Sequence, residues 1–269
     1  DPVAMAAGDR SLLLVSGGST PNASIFTLSE KEGRIALRGK GPRPGVRWSV
    51  SNPPAAICPV PPLGKSKTPG FIAVVAHESD KLSTTTAASQ PAQKRSGLTL
   101  LQTIEGQWEP LGEINNVFGT VGARISVAAT DSWVYVLVVP GDAPARLLAW
   151  NTTNKETIWK DVALPLAPQQ PLTVSVLGGQ PVLVTMAPAG WTPASPTTLP
   201  KVGGIELSIR ELKGDKIANA PQSIKYQGKP LALPAGSIPE ACSFGKTSER
   251  QLVLIWRETE SYRCALVNL

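Results

Sequence analysis

One histidine, His77, stands in the 269 residues, followed by Glu78 and, two positions further on, Asp80. An imidazole beside a carboxylate can relay protons, provided the two are held within hydrogen-bond reach. Here the carboxylates open a Ser-, Thr- and Ala-rich stretch with no apolar pattern, so His77 is assigned a structural part at the end of a strand. Lacking a second histidine, the chain has no histidine-rich metal site and no triad with a spare imidazole. The three cysteines, Cys58, Cys242 and Cys264, are odd in number and contain no CxxC pair. That pattern suits neither a zinc knuckle nor a disulfide framework, and small buried hydrophobes are expected instead. Cys242 and Cys264 are expected on the first and third strands of one sheet, about 9.6 Å apart by strand spacing. A disulfide spans at most about 7 Å between Cα atoms, so both are expected to be thiols. Phosphate-cradling glycine loops, nucleophile elbows and HExxH are absent. The expectation is therefore no catalytic residue, no metal ligand and no cofactor.

Binding chemistry has more to work with. The net charge is +6, and the one concentrated basic stretch runs from Lys31 to Arg47 and contains Arg34, Arg38, Lys40, Arg43 and Arg47 against Glu32. An anionic partner, nucleic acid or acidic polymer, would meet this run first. Single-strand nucleic-acid sites interleave stacking aromatics with such charge, and only Trp48 is close, which favours a solvated loop. Trp191 lies in the proline-rich stretch Pro188 to Gly204 and is the candidate anchor for a protein partner; the competing reading is that it covers a neighbouring sheet. Residues 78–97 cannot bury enough apolar surface to offset their ordering entropy and are expected to be mobile. Asn22-Ala23-Ser24 and Asn151-Thr152-Thr153 match the glycan acceptor tripeptide; chance alone produces such tripeptides about this often.

The elements that must position these residues are strands. Apolar residues make up 42% of the chain and charged residues 17%, an ordinary globular balance. The 26 prolines and 24 glycines imply many turns between short elements. No run reaches the roughly 18 apolar residues that cross a bilayer, so no membrane insertion is expected. Asp1-Pro2 opens no basic and apolar leader, which suits a cytosolic protein, a processed secreted one or a fragment alike. Short apolar or alternating runs bounded by Gly, Pro, Asp or Asn recur throughout, among them Ser11–Gly17, Gly70–His77, Trp133–Val139 and Gln251–Trp256. Nowhere does a helical spacing persist over three turns.

The runs repeat. Ala7–Val15 overlays Ala129–Leu137, and Val174–Met186, Ala55–His77 and Glu240–Trp256 follow the same plan of strand, turn, aliphatic strand. After each of the first four come a third strand, a polar turn and a weaker fourth. Copies begin near Val3, Ala55, Ile125, Leu172 and Ile238, at spacings of 52, 70, 47 and 66 residues. The two long intervals hold the two insertions, 78–97 and 188–204. Both insertions fall between second and third strands, which the blade geometry places on one face. A period near 50 with four antiparallel strands per unit resembles the blades of a β-propeller, in length kelch-like more than WD40-like. Trp108 and Trp159 resemble the aromatic that opens the outer strand of kelch blades, and Gly17-Gly18 the kelch doublet; the Trp-Asp dipeptide of WD40 blades is missing.

The expectation is an all-β chain, one propeller domain over 1–269 of about five blades, or part of a larger ring, with blades at 3–46, 54–116, 123–165, 171–226 and 237–269. The last blade lacks a fourth strand, so a longer polypeptide or a partner is expected to supply it. With loops on one face of a stable disc and no constellation of acid, base, nucleophile or metal ligands, the expectation is a non-catalytic scaffold for protein–protein interaction within a larger protein or complex. Its alternatives are a carbohydrate-binding or hydrolytic propeller with a polar site at the central channel, drawing on Arg124, Glu240 or Asp9, and basic-patch binding to an anionic polymer.

Overall fold

The computed structural model describes residues 2–7, 11–16, 22–31, 34–38, 54–61, 70–79, 95–104, 107–115, 123–141, 143–154, 158–165, 168–191, 204–218, 220–244, 250–258 and 261–269. Every regular element among them is a strand. The first sheet is β1 (Pro2–Ala7), β2 (Ser11–Ser16), β3 (Asn22–Lys31) and β4 (Arg34–Arg38), paired antiparallel in chain order. The second repeats that order with β5 (Ala56–Val60), β6 (Gly70–Ser79), β7 (Arg95–Ile104) and β8 (Gln107–Ile114). The third is β9 (Arg124–Ala129), β10 (Trp133–Val139), β11 (Arg146–Asn151) and β12 (Trp159–Val162). Each sheet is thus a four-stranded meander cut from one contiguous stretch of chain, the build of a propeller blade. The fold is all-β, of the β-propeller class.

The chain divides into two compact units, residues 1–144 with 150–159, and residues 145–149 with 160–269. In the first unit the leading strands are neighbours: β5 lies beside both β1 and β9. Aliphatic content explains which strands go inward. In β10 the run Val134 to Val138 is buried at every position, as a strand covered on both faces must be. In β8 the pattern opens to solvent at Gln107, Glu109 and Pro110, which suits an outer edge. Across β6 and β7, His77 faces Gly97. A Cβ built on Gly97 would come 2.6 Å from Cε1 of His77 and 3.0 Å from the Ile114 carbonyl oxygen. The lone imidazole therefore lies over a glycine that leaves room for it.

In the second unit β13 (Gln170–Leu177), β14 (Gln180–Pro188) and β15 (Ile205–Lys213) form the body of the fourth sheet. The β13–β14 turn is Gly178-Gly179, with φ of 57° and 75°; left-handed conformations at both positions are what the favoured two-residue hairpin requires. The outer edge of β15 carries three short pieces instead of one strand: β16 (Lys216–Ile217), β17 (Gln222–Ser223) and, further along, β20 (Ala232–Leu233). Between the latter two projects a small hairpin, β18 (Lys225–Tyr226) and β19 (Lys229–Pro230), turned at Gln227-Gly228. The sheet thereby continues to Leu233, past the limit of 226 read from the repeat.

The fifth sheet has three strands, β21 (Glu240–Phe244), β22 (Gln251–Glu258) and β23 (Ser261–Asn268). Its inner face packs on the fourth sheet: Leu252, Leu254, Ala265 and Val267 join Leu172, Val184, Leu207 and Ile209 in one buried cluster. Each such leucine contributes about 1.5–3 kcal/mol by leaving water. Leading strands are again neighbours, β13 beside β21. Cys242 stands on β21 and Cys264 on β23, with β22 between them. No helix among the described residues is long and apolar enough to cross a membrane.

Candidate functional surfaces

The face of the fifth sheet turned away from the buried cluster is defined by register. Residues directly opposite in an antiparallel pair point to the same side. Val253 faces Leu266, Ile255 faces Cys264, and Arg257 faces Tyr262. These six alternate with the buried set, so they share the outer side. Ile255 is 40% exposed, Leu266 46% and Tyr262 77%, and Cys264 is exposed too. Three large apolar side chains thus stand together in water on one short sheet. Along the rim, β23 pairs with β22 and with no other strand among the described residues. In the other four sheets the third strand carries further strands on its outer side. Among the described residues no strand is paired there, while β18 of the small hairpin comes close to β23; an edge with apolar neighbours is a template for another strand.

Of the residues singled out in the sequence, Arg34 and Arg38 lie on β4, the outer strand of the first sheet, four residues apart. Lys40, Arg43 and Arg47 lie outside the described residues, as do Asp9, residues 80–94 of the first insertion and 192–203 of the second. Trp191 follows β14 in a tight turn, its amide donating to the Pro188 carbonyl at 3.0 Å. It is half-buried, and its indole N–H is shielded from solvent with no acceptor among the described residues. The same turn is tied to β15 by the Gly190 amide, which donates to Oε1 of Glu206 at 3.2 Å.

Several polar groups that the repeat did not flag are held firmly. Arg210, 8% exposed in mid-β15, donates to Oε1 of Gln169 at 2.6 Å and to the Ala218 carbonyl at 3.2 Å. Burial pushes its pKa down from the ordinary guanidinium value. A charged residue inside a strand gives no sequence signal for burial; a 41-residue separation from its amide partner hides the pair. Arg146 grips Asp161 through two nitrogens at 2.8 to 3.1 Å, across the outer strands of the third sheet. Lys160 donates to Asp215 at 3.1 Å, and this hydrogen bond with its charge holds the Asp215 carboxyl below its ordinary value. Both pairs are exposed and are worth little to stability. Cys58 is buried, and desolvation, partly offset by a backbone hydrogen bond at Ile72, raises its thiol from 9.0 to about 12.

Arg124 opens β9 and Glu240 opens β21, so each stands at the end of the leading strand of its sheet. Among the described residues, no three His, Cys, Asp or Glu side chains come together as metal ligands could. No family model matches the chain, which leaves the kelch-like and WD40-like resemblances without support. No curated protein matches either. Solved structures do. The fungal lectin of Aleuria aurantia, described as a six-bladed β-propeller with a novel fucose recognition mode, matches at 14% identity. That match has a TM-score of 0.45 and covers 98% of this chain and 78% of that one. A mutant of the same lectin in complex with Fucalpha1-6GlcNAc matches at 12% identity with a TM-score of 0.40, covering 100% of this chain and 77% of that one. What those lectins bind is a property of those lectins.

Proposed function

We propose that the chain is a non-catalytic binding platform, and that the outer side of its fifth sheet receives a strand of a partner polypeptide. The observation that carries this is the clustering of exposed Ile255, Tyr262 and Leu266 on the outer side of a sheet whose last strand, β23, pairs among the described residues only with β22. Exposed apolar side chains scattered singly need no explanation, whereas a contiguous set does. Main-chain hydrogen bonds along β23 would supply affinity, and the alternating apolar positions would supply selectivity, as in recognition by strand addition. The test is cross-linking of the chain in its native extract, compared with an Ile255→Lys, Leu266→Lys double variant of unchanged thermal stability. Cross-links from partners should map to residues 251–268 and vanish in the variant. Partners that remain cross-linked to the variant, or cross-links elsewhere, would refute the assignment.

A second reading is carbohydrate binding. It is favoured by the placement of Arg124 in one unit, and separately of Glu240 in the other, at the end of a leading strand. A charged group at such a strand end is suited to sugar hydroxyls through charge-assisted hydrogen bonds. Titration with fucosylated and other oligosaccharides decides it: saturable binding lost in Arg124→Ala supports the sugar reading, and heats of dilution alone remove it.

A further inference from the structure

The two glycan acceptor tripeptides look alike in the sequence, and the fold separates them. Asn22, Ala23 and Ser24 all lie in the ladder of the first sheet, facing Ser16, Val15 and Leu14 of β2. All three are paired with β2 in the ladder. Asn151, by contrast, ends β11, and Thr152, Thr153 and Asn154 form the turn beyond it. In that turn Oδ1 of Asn151 accepts from the Thr153 amide at 2.9 Å and from the Thr153 hydroxyl at 2.6 Å. The turn is anchored from behind: the Thr152 hydroxyl donates to the Asp131 carbonyl at 3.0 Å, and the Thr152 amide to the Ser132 carbonyl at 3.0 Å. Thr153 and Asn154 are exposed.

This arrangement fixes the carboxamide by its oxygen. The Nδ2 of Asn151 is not among the shielded, unpartnered polar atoms, and no hydrogen bond from it is formed among the described residues. It is therefore not shielded from solvent, on a residue that is half-buried. We propose that Asn151 is an acceptor for an N-linked glycan and that Asn22 is not. The donor class is an oligosaccharide carried on a polyprenyl diphosphate. Nδ2 attacks the anomeric carbon of the first sugar, forming the C–N bond. The bond from that carbon to the phosphate oxygen breaks, the lipid diphosphate departs with its electron pair, and Nδ2 loses one proton. No electron transfer is involved. The Thr153 hydroxyl supplies the contact for which the tripeptide needs Thr or Ser at its third position. Exposure of Thr153 and Asn154 at the turn suits attachment of a bulky sugar tree.

The test is secretion of the full chain from a eukaryotic host behind a cleavable leader, followed by enzymatic deglycosylation and peptide mass mapping. One glycan is expected, marked by conversion of Asn151 to Asp on its removal. It should be lost in Asn151→Gln and in Thr153→Ala, and retained in Thr153→Ser and Asn22→Gln. A wild-type chain secreted without a glycan, a glycan that survives Asn151→Gln, or one on Asn22 would overturn the proposal. Thr153→Ser guards against misfolding, since it keeps the hydroxyl and both hydrogen bonds.

Discussion

At the residue scale, placement decides chemistry more than residue type does. Two cysteines with the same intrinsic reactivity are separated by their surroundings: Cys58 is buried and its thiol raised to about 12, while Cys264 is exposed. Since the thiolate is the nucleophile, an alkylating reagent at neutral pH should label Cys264 in the folded chain and leave Cys58 untouched until denaturation. Labelling of Cys58 at the rate of Cys264, read by peptide mass, would contradict its burial. The raised value also fixes a sign. An unfolded Cys58 ionises near 9.0 and a folded one near 12, so its contribution to stability is complete below the first value and is lost as pH rises toward the second. Gly97 makes a second case. A methyl group there meets the His77 ring and a main-chain oxygen, so Gly97→Ala should destabilise the chain by about 1–3 kcal/mol. Gly97→Ala combined with His77→Ala should recover part of that loss in thermal melts. A neutral single variant would mean that the ring does not lie over the glycine. The sequence assigned His77 a structural part by elimination, and Gly97 shows what that part is.

The elements were legible where a strand is long enough to show its period. The aliphatic runs of β2, β6, β10, β14 and β22 announce themselves, and so do the Thr130-Asp131 and Gly178-Gly179 turns. Separation of Cys242 from Cys264 by one strand follows from the same plan. The fourth sheet was not legible at its rim. Pieces of two residues, such as β16, β17 and β20, have no period to detect, and their pairing with β15 depends on tertiary contact. The hairpin at Gln227-Gly228 was missed for the same reason, though a Gly in that turn was the available signal. Nor could periodicity reveal that Ile255, inside the run Gln251–Trp256, stands in water. An apolar strand reads as buried on both faces, and only the packing partner says which face is covered. That partner is the fourth sheet, and Leu254 is central to the contact at 0% exposure. Leu254→Ala should therefore cost about 2–5 kcal/mol, measured by denaturant melts, against a far smaller loss for Ile255→Ala on the outer side. Equal losses would show that both faces are packed.

On the scale of the whole molecule, the repeat does two things at once. Each turn of the sequence cycle makes one meander, and a meander buries its faces only against neighbours, so within each unit stability comes from the packing of successive sheets. The same logic leaves the outer side of the fifth sheet as the place where something else can add on, and the platform reading rests on it. Hydrogen exchange on the chain alone and on its cross-linked complex tests this most directly. The account predicts that amides of β23, residues 261–268, exchange early in the free chain and become protected in the complex, with the inner cluster unchanged. Protection that instead gathers around Arg124, or around Glu240, on adding a fucosylated oligosaccharide or any other ligand, with β23 exchanging as before, would contradict it.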